Sequence, residues 1–221
     1  MVKIKPDKII RSRRRSIALM ITSDAMLVVR APLFTPFDYI QKLIDKKTNW
    51  INKKIEELQS KPKVLPKEFV SGEGYLFLGK AYKLKFTEDK DIELQSSLMF
   101  PKSFLSTARD TLVDWYRTQA LKKISERVDW YTKIMGFNSA EIKITNAQKR
   151  WGSCGPKGTL NFSWRLIMAP LQVVDYVVVH ELVHLTEKNH SRKFWGKVKI
   201  AMPDYLQHMN WLKENSSVLN L

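Results

Sequence analysis

Apolar positions change their period several times along the chain, and each change predicts an element. Ile9–Thr22 opens with basic and apolar residues alternating, Ser23-Asp24 reads as a turn, and Ala25–Arg30 is a second β-rich run. After Pro36 the period becomes helical: Phe37, Ile40, Leu43, Ile44, Ile51, Ile55 and Leu58 form one stripe to about Gln59, with Lys and Glu opposite. Ser60–Pro66 reads as a linker. Gly72 to Phe86 predicts strands around a turn at Gly79, and Ile92–Met99 one more. A long helix capped by Ser103 or Thr107 should run to Met135 and stop at Gly136, burying Leu112, Trp115, Tyr116, Leu121, Ile124, Val128 and Tyr131.

Two strands, Glu141–Thr145 and Thr159–Trp164, then flank a Gly-rich turn. From Pro170 to about Lys188 the chain is apolar, and Val173–Val179 is β-branched enough for a strand. Its length, together with the residues directly after it, favours a buried helix. Short helices near Ser191–Ala201 and Asp204–Asn215 close the sequence, with Phe194, Trp195, Tyr205 and Trp211 as core. The order predicts an α+β protein: a basic, β-rich region with one helix over residues 1–100, and a second domain over 101–221.

Composition narrows the class. With 44% apolar and 27% charged side chains in 221 residues, the chain is neither disordered nor collagen-like. No apolar run reaches the roughly 18–20 residues of a spanning helix, which excludes a membrane partner of that kind. Met1–Lys8 is charged with no apolar stretch behind it, so no secretory signal is expected, and Cys154 alone forms no internal disulfide. A soluble cytoplasmic protein is expected. Its charge is +16, and residues 1–70 hold 16 basic against 7 acidic groups. Arg11, Arg13, Arg14 and Arg15 would draw nucleic acid, a nucleotide or another polyanion, or else form a solvated basic face.

His180-Glu181-Leu182-Val183-His184 carries the chemistry. On a helix, histidines four apart share a face and reach one metal ion, while the glutamate between them lies beside the open coordination position. Zinc suits such a site, because it accepts nitrogen ligands, leaves room for water and brings that water's pKa to about 7. His190, six residues on, is the chosen third ligand, with Glu187 and Glu214 as rivals. Glu187 stands where a glycine would let the helix break, so Asn189 is the nearest residue suited to a left-handed turn. His208 is a surface residue or a donor to a developing oxyanion, and Cys154 a small core residue or a soft ligand. The run Lys149–Gly158 should put a strand edge beside the site. There Arg150, Trp151 and Ser153 are candidate substrate contacts, as is Arg165 farther on, although Arg150 and Trp151 could equally hold the turn together.

Arg150-Trp-Gly-Ser-Cys154, Trp164-Arg-Leu-Ile-Met-Ala-Pro170, Asp175 to His184, and Asn189-His-Ser191 with Phe194-Trp195 resemble the YgjP-like predicted metal-dependent hydrolases, a family similar to the WLM and SprT-like zinc metallopeptidases. The likeness is specific over residues 140–213 and continues more weakly upstream, through Gly79-Lys-Ala-Tyr82. It implies a zincin-like fold, a small sheet packed on helices around the HExxH helix, with His180, His184 and His190 on zinc and Glu181 as the catalytic carboxylate. The expected function is a zinc-dependent metallopeptidase acting on peptide or protein through water on the ion, with Glu181 as general base. The alternatives are a metal-dependent phosphoanhydride hydrolase of nucleotides, with Arg150, Arg165 and the Arg11–Arg15 cluster on phosphate, and a nucleic-acid-binding protein with a structural zinc. A missing Gly-rich phosphate loop counts against the first, and an intact Glu181 against the second.

Overall fold

The computed structural model describes residues 4–22, 24–59, 65–138 and 140–221. It contains two compact units, residues 1–64 and 65–221. The strands of residues 74–101, grouped on sequence with the N-terminal region, belong to the second unit because Tyr75, Leu84, Leu98 and Phe100 sit in its core. Ser23 and most of the expected linker, residues 60–64, lie outside the described residues.

In the first unit, β1 (Lys8–Ser12), β2 (Ala18–Ile21) and β3 (Leu27–Pro32) form a sheet in the order β1-β3-β2. Leu27, Val29 and Ala31 alternate onto one face and pack with Ile40, Ile44 and Ile51. The run 9–22 is two strands rather than one, so Arg13–Arg15 lie in the loop between them. The helical stripe is likewise divided, into α1 (Phe37–Lys46) and α2 (Thr48–Gln59). At the break the Thr48 hydroxyl donates to the carbonyls of Ile44 and Asp45, at 3.3 and 3.0 Å, competing with the backbone for helix acceptors.

The second unit begins with β4 (Gly74–Phe77), β5 (Lys80–Thr87), β6 (Glu93–Leu94) and β7 (Leu98–Pro101), in the order β4-β5-β7-β6. The β4–β5 connection holds Leu78 at φ 47° and Gly79 at φ 79°, the paired positive values of a type I′ hairpin turn. A β-carbon at Gly79 would lie 2.9–3.2 Å from Pro170 atoms. The Leu78 and Gly79 amides donate to the Ile167 and Met168 carbonyls at 2.8 and 3.1 Å. This turn is therefore seated on the chain just before the helix that carries the candidate site.

Helix α3 (Ala108–Met135) follows a 3-10 turn and ends on Gly136 at φ 69°. It buries Leu112, Tyr116, Ala120, Ile124, Val128 and Tyr131, whereas Leu121 is 46% exposed because its neighbour Ala120 takes the inward position. Beyond it, β8 (Ile142–Thr145), β9 (Gly152–Cys154) and β10 (Leu160–Ser163) form a sheet in the order β8-β10-β9, leaving β9 at the edge. A 3-10 turn, Trp164–Met168, leads into α4 (Leu171–Val183), and α5 (Arg192–Ala201) and α6 (Tyr205–Asn215) complete the unit. In α4, Val173 through Val179 are all buried, so packing on several sides overrides the β-branched preference for a strand. Among the described residues no helix is long and apolar enough to cross a membrane.

Arg127 of α3 grips Asp175 of α4 through two bonds, Nε to Oδ1 at 2.6 Å and Nη2 to Oδ2 at 2.9 Å. The pair ties the long helix to the site helix in largely buried surroundings. Asp175→Ala would leave the guanidinium half-enclosed without its anion. It is expected to cost about 3 kcal/mol of stability, read as a lower urea midpoint at an unchanged m-value.

Candidate metal centre

The last turn of α4 presents His180, and His184, the residue that caps the helix C-terminus, lies on the same face, as the four-residue spacing requires. The chain then turns back through residues 184–190 without a left-handed residue, so Asn189 supplies no such break. Ser191 caps α5, its hydroxyl accepting from the Phe194 amide, and this fixes His190 opposite the other two rings. The Nε2 atom of His190 lies 3.0 Å from that of His180 and 3.2 Å from that of His184. Among the described residues these three histidines form the group able to hold a metal ion; Glu187, Glu214 and Cys154 are not in it. Glu187 is paired with Lys197 at 2.8 Å.

The surroundings favour the neutral form of His180 and His190. Burial lowers the pKa of His180 to about 3, with His184 and His190 adding to the effect, and it lowers that of His190 as well. His184 Nδ1 lies 2.9 Å from the Glu187 carbonyl oxygen, so its Nδ1–H tautomer donates there and turns the Nε2 lone pair inward. His180 Nδ1 is buried with no hydrogen-bond partner among the described residues. Aromatic rings wall the cluster: Phe194 meets His180 edge-on at 4.9 Å, and Trp195 stacks on His190 at 5.7 Å. Three convergent nitrogen donors in an aromatic wall fit a zinc ion.

Glu181, 5% exposed, points from α4 towards β9, and its Oε2 has no partner among the described residues. Burial raises its pKa to about 7, partly offset by the facing Cys154 backbone amide and the Arg150 charge. A β-carbon at Gly152 would lie 2.6 Å from Glu181 Cγ and Oε1, so only glycine leaves room for the carboxylate here. The pairing of β9 is set by its flanks. Gly155 donates to the Thr159 carbonyl and Ser163 to that of Trp151, so Trp151, Ser153 and Gly155 direct their polar atoms to β10. Gly152 and Cys154 direct theirs to the open edge.

The other expected contacts are placed unequally. Trp151 joins Gly152, Tyr176, Val177 and Met209 around a cavity of about 470 Å³ beside His180 and Glu181, with Lys213 also lining it. Ser153 and Cys154 line a second cavity, about 330 Å³, with the three histidines and Lys188. Arg150 is exposed, near Glu181. Arg165, expected at the substrate, is instead spent on structure: it donates to Asn146 Oδ1 at 2.9 Å and Asn220 Oδ1 at 3.0 Å, and lies 4.4 Å over the Trp164 ring. His208 Nε2 lies 3.1 Å from an Asp204 carboxylate oxygen at the start of the same helix. Arg11 is engaged too, its Nη1 donating to the carbonyls of Pro32, Leu33 and Thr35. Arg14 is partly buried, while Arg13 and Arg15 are exposed. Gly152 and Tyr176 did not stand out on sequence. Tyr176, four residues before His180 on the same helical face, was readable from that spacing.

No curated protein matches the sequence. Among the solved structures that resemble part of the chain, two are described as metallopeptidase zymogens. Abylysin of Pyrococcus abyssi is 17% identical, covering 41% of this chain and 93% of that chain at a TM-score of 0.38. Jannalysin of Methanocaldococcus jannaschii is 20% identical, covering 41% and 94% at a TM-score of 0.38. The sequence matches the description "YgjP-like, metallopeptidase domain" over residues 15–215. The chain, an α+β protein, therefore belongs to the YgjP-like metallopeptidase family.

Proposed function

We propose that this protein is a zinc-dependent peptidase in which His180, His184 and His190 hold one ion and Glu181 moves the protons. The observation that carries the reading is the convergence of three Nε2 atoms, two of the gaps being 3.0 and 3.2 Å, next to a buried carboxylate oxygen without a partner among the described residues. Zinc held there would supply Lewis acidity, making water acidic near neutral pH and polarising a carbonyl. Glu181 accepts a proton from the attacking water and later delivers it to the departing amine nitrogen. The open edge of β9 pairs with an extended substrate through the Gly152 amide and carbonyl, laying a peptide bond alongside Glu181. The walls of the cavity around Trp151 and Tyr176 exclude water from one side of that bond. Arg165, one of the arginines a phosphoanhydride substrate would call on, is engaged with Asn146 and Asn220, which favours peptide over phosphoanhydride as the substrate.

The test is metal content with turnover. The purified protein should carry close to one zinc per chain by mass spectrometry of the metal and cleave denatured casein, while nucleoside triphosphates stay intact. His184→Ala should lose most of the zinc, because two remaining donors do not close the site. Full zinc retention by that variant would refute the ligand set.

A further inference from the structure

We propose that the N-terminal unit carries a second peptide-binding site, in which an extended acidic segment adds to the open edge of β2 and inserts apolar side chains into the groove beside it. The groove, about 290 Å³, is lined by Ile17 and Leu19 from the β2 side, Leu43 from α1, and Lys47 and Trp50 from the α1–α2 corner. Its apolar floor is open: Trp50 is 46% exposed.

The backbone explains why a peptide fits. Strand β2 pairs only with β3 among the described residues, with Thr22 donating to Met26 and Ala18 opposite Arg30. That register sends the N–H and C=O groups of Leu19 and Ile21 to the free edge. Those groups seek a partner strand, and an added strand places every second side chain over the groove. A nucleic acid offers no such ladder.

Charge selects the peptide's other face. Residues 1–64 carry 15 basic against 6 acidic side chains, and no acidic residue lines the groove. Arg13 and Arg15, exposed in the loop that leads into β2, and Arg30, exposed on the sheet face away from the groove and opposite Ala18, have no ion-pair partner among the described residues. The complementary ligand alternates apolar with acidic residues.

A fluorescein-labelled eight-residue peptide of alternating Asp and Leu, titrated with the full chain, should show saturable anisotropy that weakens with salt. Leu19→Asp should weaken binding at least about 10-fold, and Trp50→Ala, a change at an exposed ring, at least about 3-fold with zinc content unchanged. Methylating the amides of either the Leu or the Asp set should abolish binding, and methylating the other set should spare it, because only one set faces β2. Absence of saturable binding overturns the proposal, as does equal binding of both methylated peptides. Displacement of the peptide by a tighter-binding single-stranded oligonucleotide also overturns it, assigning the face to nucleic acid. None of these outcomes depends on peptidase activity.

Discussion

Replacing Glu181 by Gln is expected to lower peptide turnover by at least about 10²-fold while zinc content stays at the wild-type level. Glutamine keeps the length and planarity of the side chain and still faces the Cys154 amide, so the three histidines have no reason to move. It lacks the basicity to take a proton from water, and that loss falls on kcat. Equal turnover by the two proteins would show that hydrolysis does not pass through this carboxylate. Loss of zinc alongside turnover would show instead that Glu181 supports the metal ligands.

Gly152→Ala is expected to reduce turnover by about 10–10²-fold through the position of the same carboxylate. The new methyl group would stand 2.6 Å from Glu181 Oε1 and Cγ, a distance that forces movement. The yielding partner is the end of a flexible side chain rather than backbone, so folding and zinc should survive. Gly196→Ala is the matched control: nothing lies within 4 Å of a β-carbon there. Steady-state kinetics with metal analysis separates the outcomes, and wild-type kcat for Gly152→Ala would mean that the carboxylate need not sit where it does.

The geometry of the candidate centre was legible in the sequence because its logic is local. Histidines at 180 and 184 share a helical face whatever the rest of the chain does, and Ser191 marks the start of the helix that returns His190. Gly136 ended α3 for a similarly local reason, its left-handed backbone. Long-range partners were not legible. Arg165 looks like a substrate contact until Asn146 and Asn220, 19 and 55 residues away, are seen to occupy its guanidinium. Arg11 looks like part of a basic patch until the carbonyls of residues 32–35 surround it. Gly152 reads as turn chemistry, and its value appears only when Glu181 is packed against it. The expected division after residue 100 parts strands from the helix they pack on: Leu84 and Phe100 are buried with α3, a contact that no local pattern records.

The seating of the β4–β5 turn against Pro170 bears on how the centre assembles. Gly79 and Pro170 are separated by about ninety residues, and closing so long a loop costs about 4 kcal/mol of chain entropy by the logarithmic scaling of loop size. Contacts of such sequence separation form late in folding, after the local helices and hairpins they join. The motif-bearing helix can thus coil early, while its start is fixed only when the hairpin arrives. A chain begun at residue 101 keeps all three histidines and Glu181, and loses the clasp that sets where their helix begins.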